Sequence, residues 1–139
     1  MSWLINYKAF EYATSKMQKV SAIHFFEDFN GCGYEIERAF GGGTFICYDD
    51  KNKGEGALLR STGLKDKKGN FVYEGDVIED SYIDERYFVY WNKVSAAFHI
   101  STFDGDGGNN IFEYDEPSIE VIGNIYEGKY TYLKNVKIK

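Results

Sequence analysis

Along much of this chain the apolar residues recur at every second position, in short runs broken by glycine or by polar clusters. From Met17, "MQKVSAIHFFEDF" sets Val20 and Ala22 on one side of an extended segment and Ile23 and Phe25 on the other, before Phe26. This pattern predicts a strand buried partly on both sides, or one carrying a bulge. "GYEIERAF" alternates Tyr34, Ile36 and Arg38 against Glu35, Glu37 and Ala39, a period of two. Gly41, Gly42 and Gly43 end that run, and "TFICYD" opens another strand. The polar segment "DDKNKGEG" (Asp49–Gly56) then divides an N-terminal, strand-rich lobe of about residues 1–56 from the remainder, about 57–139.

In "RSTGLKDKKGNFVYEGDVIE" (Arg60–Glu79) the run through Leu64 and Lys65 meets Asp66-Lys67-Lys68-Gly69 and resumes at Phe71-Val72-Tyr73. Aspartate at the first position and glycine at the last predict a type I turn, since the carboxylate bonds nearby backbone and glycine tolerates positive φ. A second break falls at Gly75, after which Val77 and Ile78 are again extended. "ERYFVYWN" and "SAAFHISTF" flank Asn92-Lys93 as a hairpin, "DGDGGNN" is a loop, and "IFEY" is a short strand. Pro117 leads into "SIEVIGNIYEG", and "KYTYLKNVKIK" reads as a last strand. No repeat or heptad is present, and any helix is short, with the opening residues its best place. Several short strands with glycine turns predict a mainly β chain, a small barrel or compact antiparallel sheet.

Length and composition narrow this further. A chain of 139 residues falls in the single-domain range of ~100–150 residues, and two independent cores would each be thin. One proline and 18% aromatic residues favour a folded, strand-rich chain over a disordered one. A net charge of −6 argues against a dedicated nucleic-acid binder, because phosphate contacts need a basic footprint. Glu74, Asp76, Glu79, Asp80, Asp84 and Glu85 gather without a base until Arg86, whereas Lys129, Lys134, Lys137 and Lys139 form a basic tail. The asymmetry suits either solvated faces or contact between one copy's acidic strip and another's tail.

Cys32 and Cys47 are too few and too separated for a disulfide scaffold or a zinc site, so free thiols in a reducing cytoplasm are expected. "MSWLINYKAF" lacks the basic region and long apolar run of a signal peptide, and no stretch approaches the ~20 apolar residues of a membrane helix. The expectation is a cytoplasmic protein with no membrane contact.

Three blocks give the chain a family resemblance. "FEYATSKMQKVSAI" (Phe10–Ile23) resembles the opening strand pair of the YopX family, small proteins of phages and prophages of Gram-positive bacteria. "STGLKDKKGNFVYEGDVIE" (Ser61–Glu79) resembles that family's Thr-Gly-Leu-Lys-Asp turn and Tyr-Glu-Gly-Asp step. "IEVIGNIYE" (Ile119–Glu127) is similar to its closing strand. The chain departs from the family in lacking a Trp-Asp pair in the opening block and in ending on "GKYTYLKNVKIK". The resemblance implies an SH3-like β-barrel with additional N-terminal strands, within a single domain spanning 1–139. It implies no reaction and no catalytic residues.

Residue chemistry agrees with that silence. Gly63, Gly69 and Gly75 punctuate extended segments as tight corners require, and Asp76 is placed to accept backbone N–H bonds across a turn, so the central motif reads as framework. His24 and His99 each fall within a strand, where a half-buried structural role is the commoner one. Neither has a partner nucleophile or metal-ligand spacing. Asp104, Asp106, Asn109 and Glu113 offer oxygens as a calcium loop does, but Gly108 and Asp115 break that loop's spacing. Gly41–Gly43 lacks the helix and the Lys-Ser or Lys-Thr of a phosphate loop. Phe71, Tyr73, Tyr87, Phe88, Tyr90 and Trp91 suit core and cross-strand packing, or alternatively stacking on single-stranded bases.

The sequence therefore predicts a non-enzyme with no catalytic residue, metal or cofactor and an unspecified binding surface. Its expected role is that of a phage or prophage accessory protein acting by contact with another protein or with itself, with a nucleic-acid-associated module as the rival reading.

Overall fold

The computed structural model describes residues 6–111 and 118–138. The chain is mainly β, and it divides into two compact units, residues 1–60 and 61–139, with the division inside one strand. Expectations that fall on residues 1–5 and on 112–117, including the opening helix, most of "IFEY" and Pro117, lie outside the described residues.

In the first unit, β1 (Tyr7–Glu11) turns through a four-residue loop into β2 (Lys16–Asp28), which turns at Phe29-Asn30 into β3 (Gly31–Arg38). β4 (Thr44–Tyr48) continues the antiparallel order. β5 (Gly56–Lys65) joins β4 in parallel at Cys47 and Gly56 and also pairs with β1 from Gly56 to Arg60, so the ladder returns to its first strand. A bulge lies between Val20 and Ala22. It explains why simple alternation misassigns this strand. Val20 and Ile23, expected on opposite faces, both pack with Ala9, Ile36, Phe45 and Cys47, because the extra residue Ser21 reverses the phase. Glu11 and Arg38 pair beside this core. Its carboxyl is held below the usual range by the hydrogen bond from Arg38, with burial opposing and the charge of Arg38 adding to the effect.

In the second unit, the end of β5 pairs with β6 (Phe71–Tyr73). β7 (Asp76–Asp80), β8 (Glu85–Asn92), β9 (Ala97–Thr102), β10 (Asn109–Asn110) and β11 (Ile119–Asn124) form an antiparallel sheet in the order β10-β9-β8-β7-β11. Asn92 ends β8, and its Oδ1 accepts from the backbone N–H groups of Val94 and Ser95, which closes the hairpin expected there. One apolar cluster joins Ile78, Val89, Ile100 and Ile119 with Leu64 and Val72. A second joins Val77 and Phe88 to Tyr130 and Leu133.

Those last two residues correct an expectation. "KYTYLKNVKIK" forms no strand; Gly128–Asn135 is a 3-10 helix. At about three residues per turn, Tyr130 and Leu133 fall on one side, and both are buried against Val77 and Phe88. The core contact outweighs the alternation that the tail shows on paper. Among the described residues, no helix is long and apolar enough to cross a membrane.

Candidate functional site

Among the described residues, the outer half of the β2–β3 hairpin carries exposed aromatic surface. Phe25 is 74% exposed and Phe29, at the first position of the two-residue loop, is 99% exposed. Both are large rings standing in water, Phe25 on the stretch of β2 paired with β3 and Phe29 in the loop that joins the two strands.

Ladder register assigns the two faces. Phe25, Tyr34 and Cys47 lie across from one another on β2, β3 and β4, so their side chains share a face. The Phe25 and Tyr34 rings meet edge to face at 5.2 Å. Tyr34 Oη donates to Asp49 Oδ1, and burial, then that bond, pushes the phenol up to about 12. On the opposite face Phe26, Gly33 and Tyr48 are aligned. The Phe26 ring covers Gly33, where any Cβ would collide with it, and it meets Tyr48 edge to face at 5.8 Å. Tyr48 Oη donates to Asp28 Oδ2 at 3.0 Å, and Asp28 Oδ1 accepts from Asn30 N–H in the loop. These contacts hold the rings in place before any partner arrives, which lowers the entropic cost of binding.

The central motif behaves as framework. Gly63, Gly69 and Gly75 have φ of 87°, 84° and 85°. At Gly75 the left-handed backbone lets its N–H donate to Val89 O and its C=O accept from Ile125 N–H, each at 2.8 Å. Asp66 opens the predicted turn, with Gly69 N–H donating to its carbonyl at 3.0 Å. Its side chain accepts from the backbone N–H groups of Lys68, Asn70 and Val121. Burial pushes this carboxyl up, and the three backbone donors outweigh it, so its pKa lies below the ordinary aspartate value. Asp76 accepts from Tyr73 N–H and from Asn124 Nδ2.

The acidic run is solvated at its end, where Asp84 and Glu85 are exposed, and not at its start. Glu74, Asp76 and Asp80 are buried, Asp80 Oδ1 accepts from Tyr82 N–H, and Glu79 pairs with Arg86 at 2.9 Å. Of the aromatics singled out earlier, Tyr73, Tyr87 and Phe88 are buried and Phe71, Tyr90 and Trp91 are half-buried, Trp91 meeting Phe98 at 5.0 Å. His24 is exposed, 4.0 Å from Glu37. His99 is buried, with Nε2 2.9 Å from Ser95 Oγ and its ring against Tyr90. Asn109 belongs to the β9–β10 ladder, and Glu113 lies outside the described residues. Gly41–Gly43 sits in the β3–β4 turn. Among the described residues, no three His, Cys, Asp or Glu side chains are grouped to hold a metal. Sequence reasoning missed Phe25 and Phe29 because an aromatic in an alternating run is ordinarily core. The one available signal was the run of acids beside them.

Fold and site together define a small, mainly β protein with exposed aromatic rings on a paired hairpin. Residues 6–129 match the family model described as YopX protein, and the chain belongs to the YopX family. It is similar to the crystal structure of protein yopX from Bacillus subtilis, with a TM-score of 0.52 at 17% identity, over 88% of this chain and 94% of that one. It is likewise similar to protein EF1440 from Enterococcus faecalis, with a TM-score of 0.50 at 16% identity, over 88% and 93% of the two chains. At such identities the likeness speaks to the fold alone. The comparison with curated proteins found no match. Neither the family's description nor the names of the two structures carry an activity.

Proposed function

We propose that this protein is a non-enzymatic accessory protein of a phage or prophage, working in the bacterial cytoplasm through protein–protein contact or self-association. The phage setting rests on the family resemblance. The contact role rests on one observation: Phe25 and Phe29 are held out in water on an ordered ribbon. Large exposed apolar groups rimmed by polar ones are a mark of interaction surfaces, and the Phe25 ring, set edge to face against Tyr34, binds at low entropic cost.

The nucleic-acid reading has less support. The aromatics that would stack on bases are buried or half-buried, and the hairpin rings stand among carboxylates that repel phosphate. The test is site-specific photo-crosslinking, with a photoreactive phenylalanine analogue at position 29 and irradiation in bacterial cells that carry the gene. The expected result is a protein adduct, to a second copy or to another chain, mapped to position 29 by mass spectrometry. Adducts only to nucleic acid, or none, would overturn the reading.

A further inference from the structure

Resting on that reading, we infer that the β2–β3 ribbon accepts an extended, cationic polypeptide segment as an added strand along the outer edge of β2. Three features lead there.

The first is an edge of β2 that no strand covers among the described residues. β1 pairs with β2 only from Lys16 to Lys19, so among the described residues β2 from Ser21 to Asp28 has a strand neighbour, β3, on one side only. A vacant edge offers a row of backbone donors and acceptors to an incoming strand. The bulge at Ser21 marks where this edge begins, and Ser21 Oγ is tied back to Glu37 O at 3.3 Å.

The second is apolar anchorage. Phe25 projects from one face of that edge strand and Phe26 from the other, with Tyr34 and Tyr48 behind them on β3 and β4. An added strand places alternate side chains on the two faces and so meets a ring on each.

The third is charge, and it selects the partner. From Ala22 through Glu37 the sequence holds Glu27, Asp28, Glu35 and Glu37 and neither lysine nor arginine. Glu27, Asp28 and Glu37 are exposed. Asp49, at the end of β4, joins the group through its backbone bond to Cys32 O, with Lys51 and Lys53 following in the β4–β5 loop. A second copy of this edge would add its own Glu27 and Asp28 to the field, the kind of like-charge arrangement by which edge strands resist self-pairing. Nucleic acid would meet the same repulsion. A strand alternating lysine or arginine with apolar residues satisfies the backbone edge, the rings and the carboxylates together.

The probe is a fluorescein-labelled heptapeptide alternating lysine with valine around a central phenylalanine, followed by anisotropy at low salt. Its companions are the glutamate-for-lysine analogue, an analogue N-methylated on alternate amides, and oligo(dT). The expected result is saturable binding of the cationic peptide alone, weakened at least about tenfold by Phe25→Ser and by Glu27→Lys and lost on N-methylation. Phe29→Ser serves as a second variant if Phe25→Ser alters the circular dichroism of the native protein. Equal binding by wild type and variants, indifference to N-methylation, preference for the acidic peptide or oligo(dT), or a dimer in light scattering that Phe25→Ser dissolves would each overturn the inference. If the peptide fails while position 29 still crosslinks to a protein, only the strand-addition inference falls. If position 29 captures no protein, the contact reading falls with it.

Discussion

The carboxylate of Asp76 accepts a hydrogen bond of 2.9 Å from the side-chain amide of Asn124, 48 residues further along the chain. Asp76 is only 1% exposed, and its other oxygen accepts from Tyr73 N–H at 2.8 Å. The bond therefore links the Tyr-Glu-Gly-Asp step directly to the closing Gly-Asn-Ile-Tyr-Glu block, beside the pairing of β7 with β11. Asn124 Oδ1 in turn accepts from Tyr126 N–H, which fixes the exit of the strand. Asn124→Ala deprives a buried carboxylate of a donor and should cost about 1.5–3 kcal/mol in urea unfolding. In a double-mutant cycle with Asp76→Ala, the two losses should fall short of additivity by at least about 0.5 kcal/mol. Additive losses would mean the two side chains do not support each other.

Gly75 makes the same corner from the backbone side. A Cβ there would adopt a left-handed conformation that costs roughly 1–2 kcal/mol, and it would also stand 3.1 Å from the Tyr126 ring. Gly75→Ala should lower the melting temperature, and Gly75→Val should lower it further. A valine variant that melts with the wild type would contradict the role assigned to this corner.

Asp66 gives the fold a pH dependence of definite sign. Its folded pKa lies below the unfolded value, so its stabilisation is complete above the unfolded aspartate pKa of about 3.9 and fades as pH falls through the folded value. At pH 7, Asp66→Asn should cost about 2 kcal/mol, since one amide oxygen cannot replace a carboxylate accepting three backbone N–H bonds. The difference between variant and wild type should shrink steadily below about pH 4. A difference independent of pH would show that the carboxylate charge is not what stabilises the turn.

The C-terminal segment is part of a core, and its lysines are incidental to that. Leu133→Ala should destabilise by about 2–5 kcal/mol, whereas Lys137→Ala, at an exposed position, should stay within about 0.5 kcal/mol. Deleting Lys129–Lys139 would then remove Tyr130 and Leu133 along with the charges, so charge neutralisation by Lys→Gln substitution is the cleaner probe of the tail. Equal effects of the leucine and lysine changes would refute the packing described for the helix.

The two cysteines should differ sharply in reactivity. Burial pushes the Cys47 thiol up to about 12, while Cys32 is exposed beside the hairpin loop. Because the thiolate is the nucleophile, a disulfide reagent at pH 8 should titrate one thiol in the native protein and both in denaturant. Cys32→Ser should abolish the native reaction. Rapid labelling of Cys47 in the native state would mean that the first unit's core opens readily.

What the sequence determined by itself was local. Asp66 and Gly69 announce their turn because both act on backbone within a few residues of themselves. The hairpin at Asn92 and the breaks at Gly41–Gly43 and Gly75 were legible for the same reason. So was the mainly β character, since alternation needs only neighbours. The framework reading of the central motif followed from glycine spacing and from a carboxylate beside a turn, both short-range signals.

Tertiary structure decided everything that depended on what lies across the fold. The bulge at Ser21 changed which face of β2 is core, and no pattern within the strand fixes where β3 shifts its register. The first part of the acidic run looked solvated until Asp76 and Asp80 met backbone N–H groups and Glu79 met Arg86. Tyr130 and Leu133 became helical because burial against Val77 and Phe88 rewards a spacing of three over one of two. Phe25 is exposed because β2 runs on past the strand that covers its beginning. Side-chain burial is a property of neighbours distant in sequence, and so the exposed rings of the β2–β3 hairpin became visible only in the folded chain.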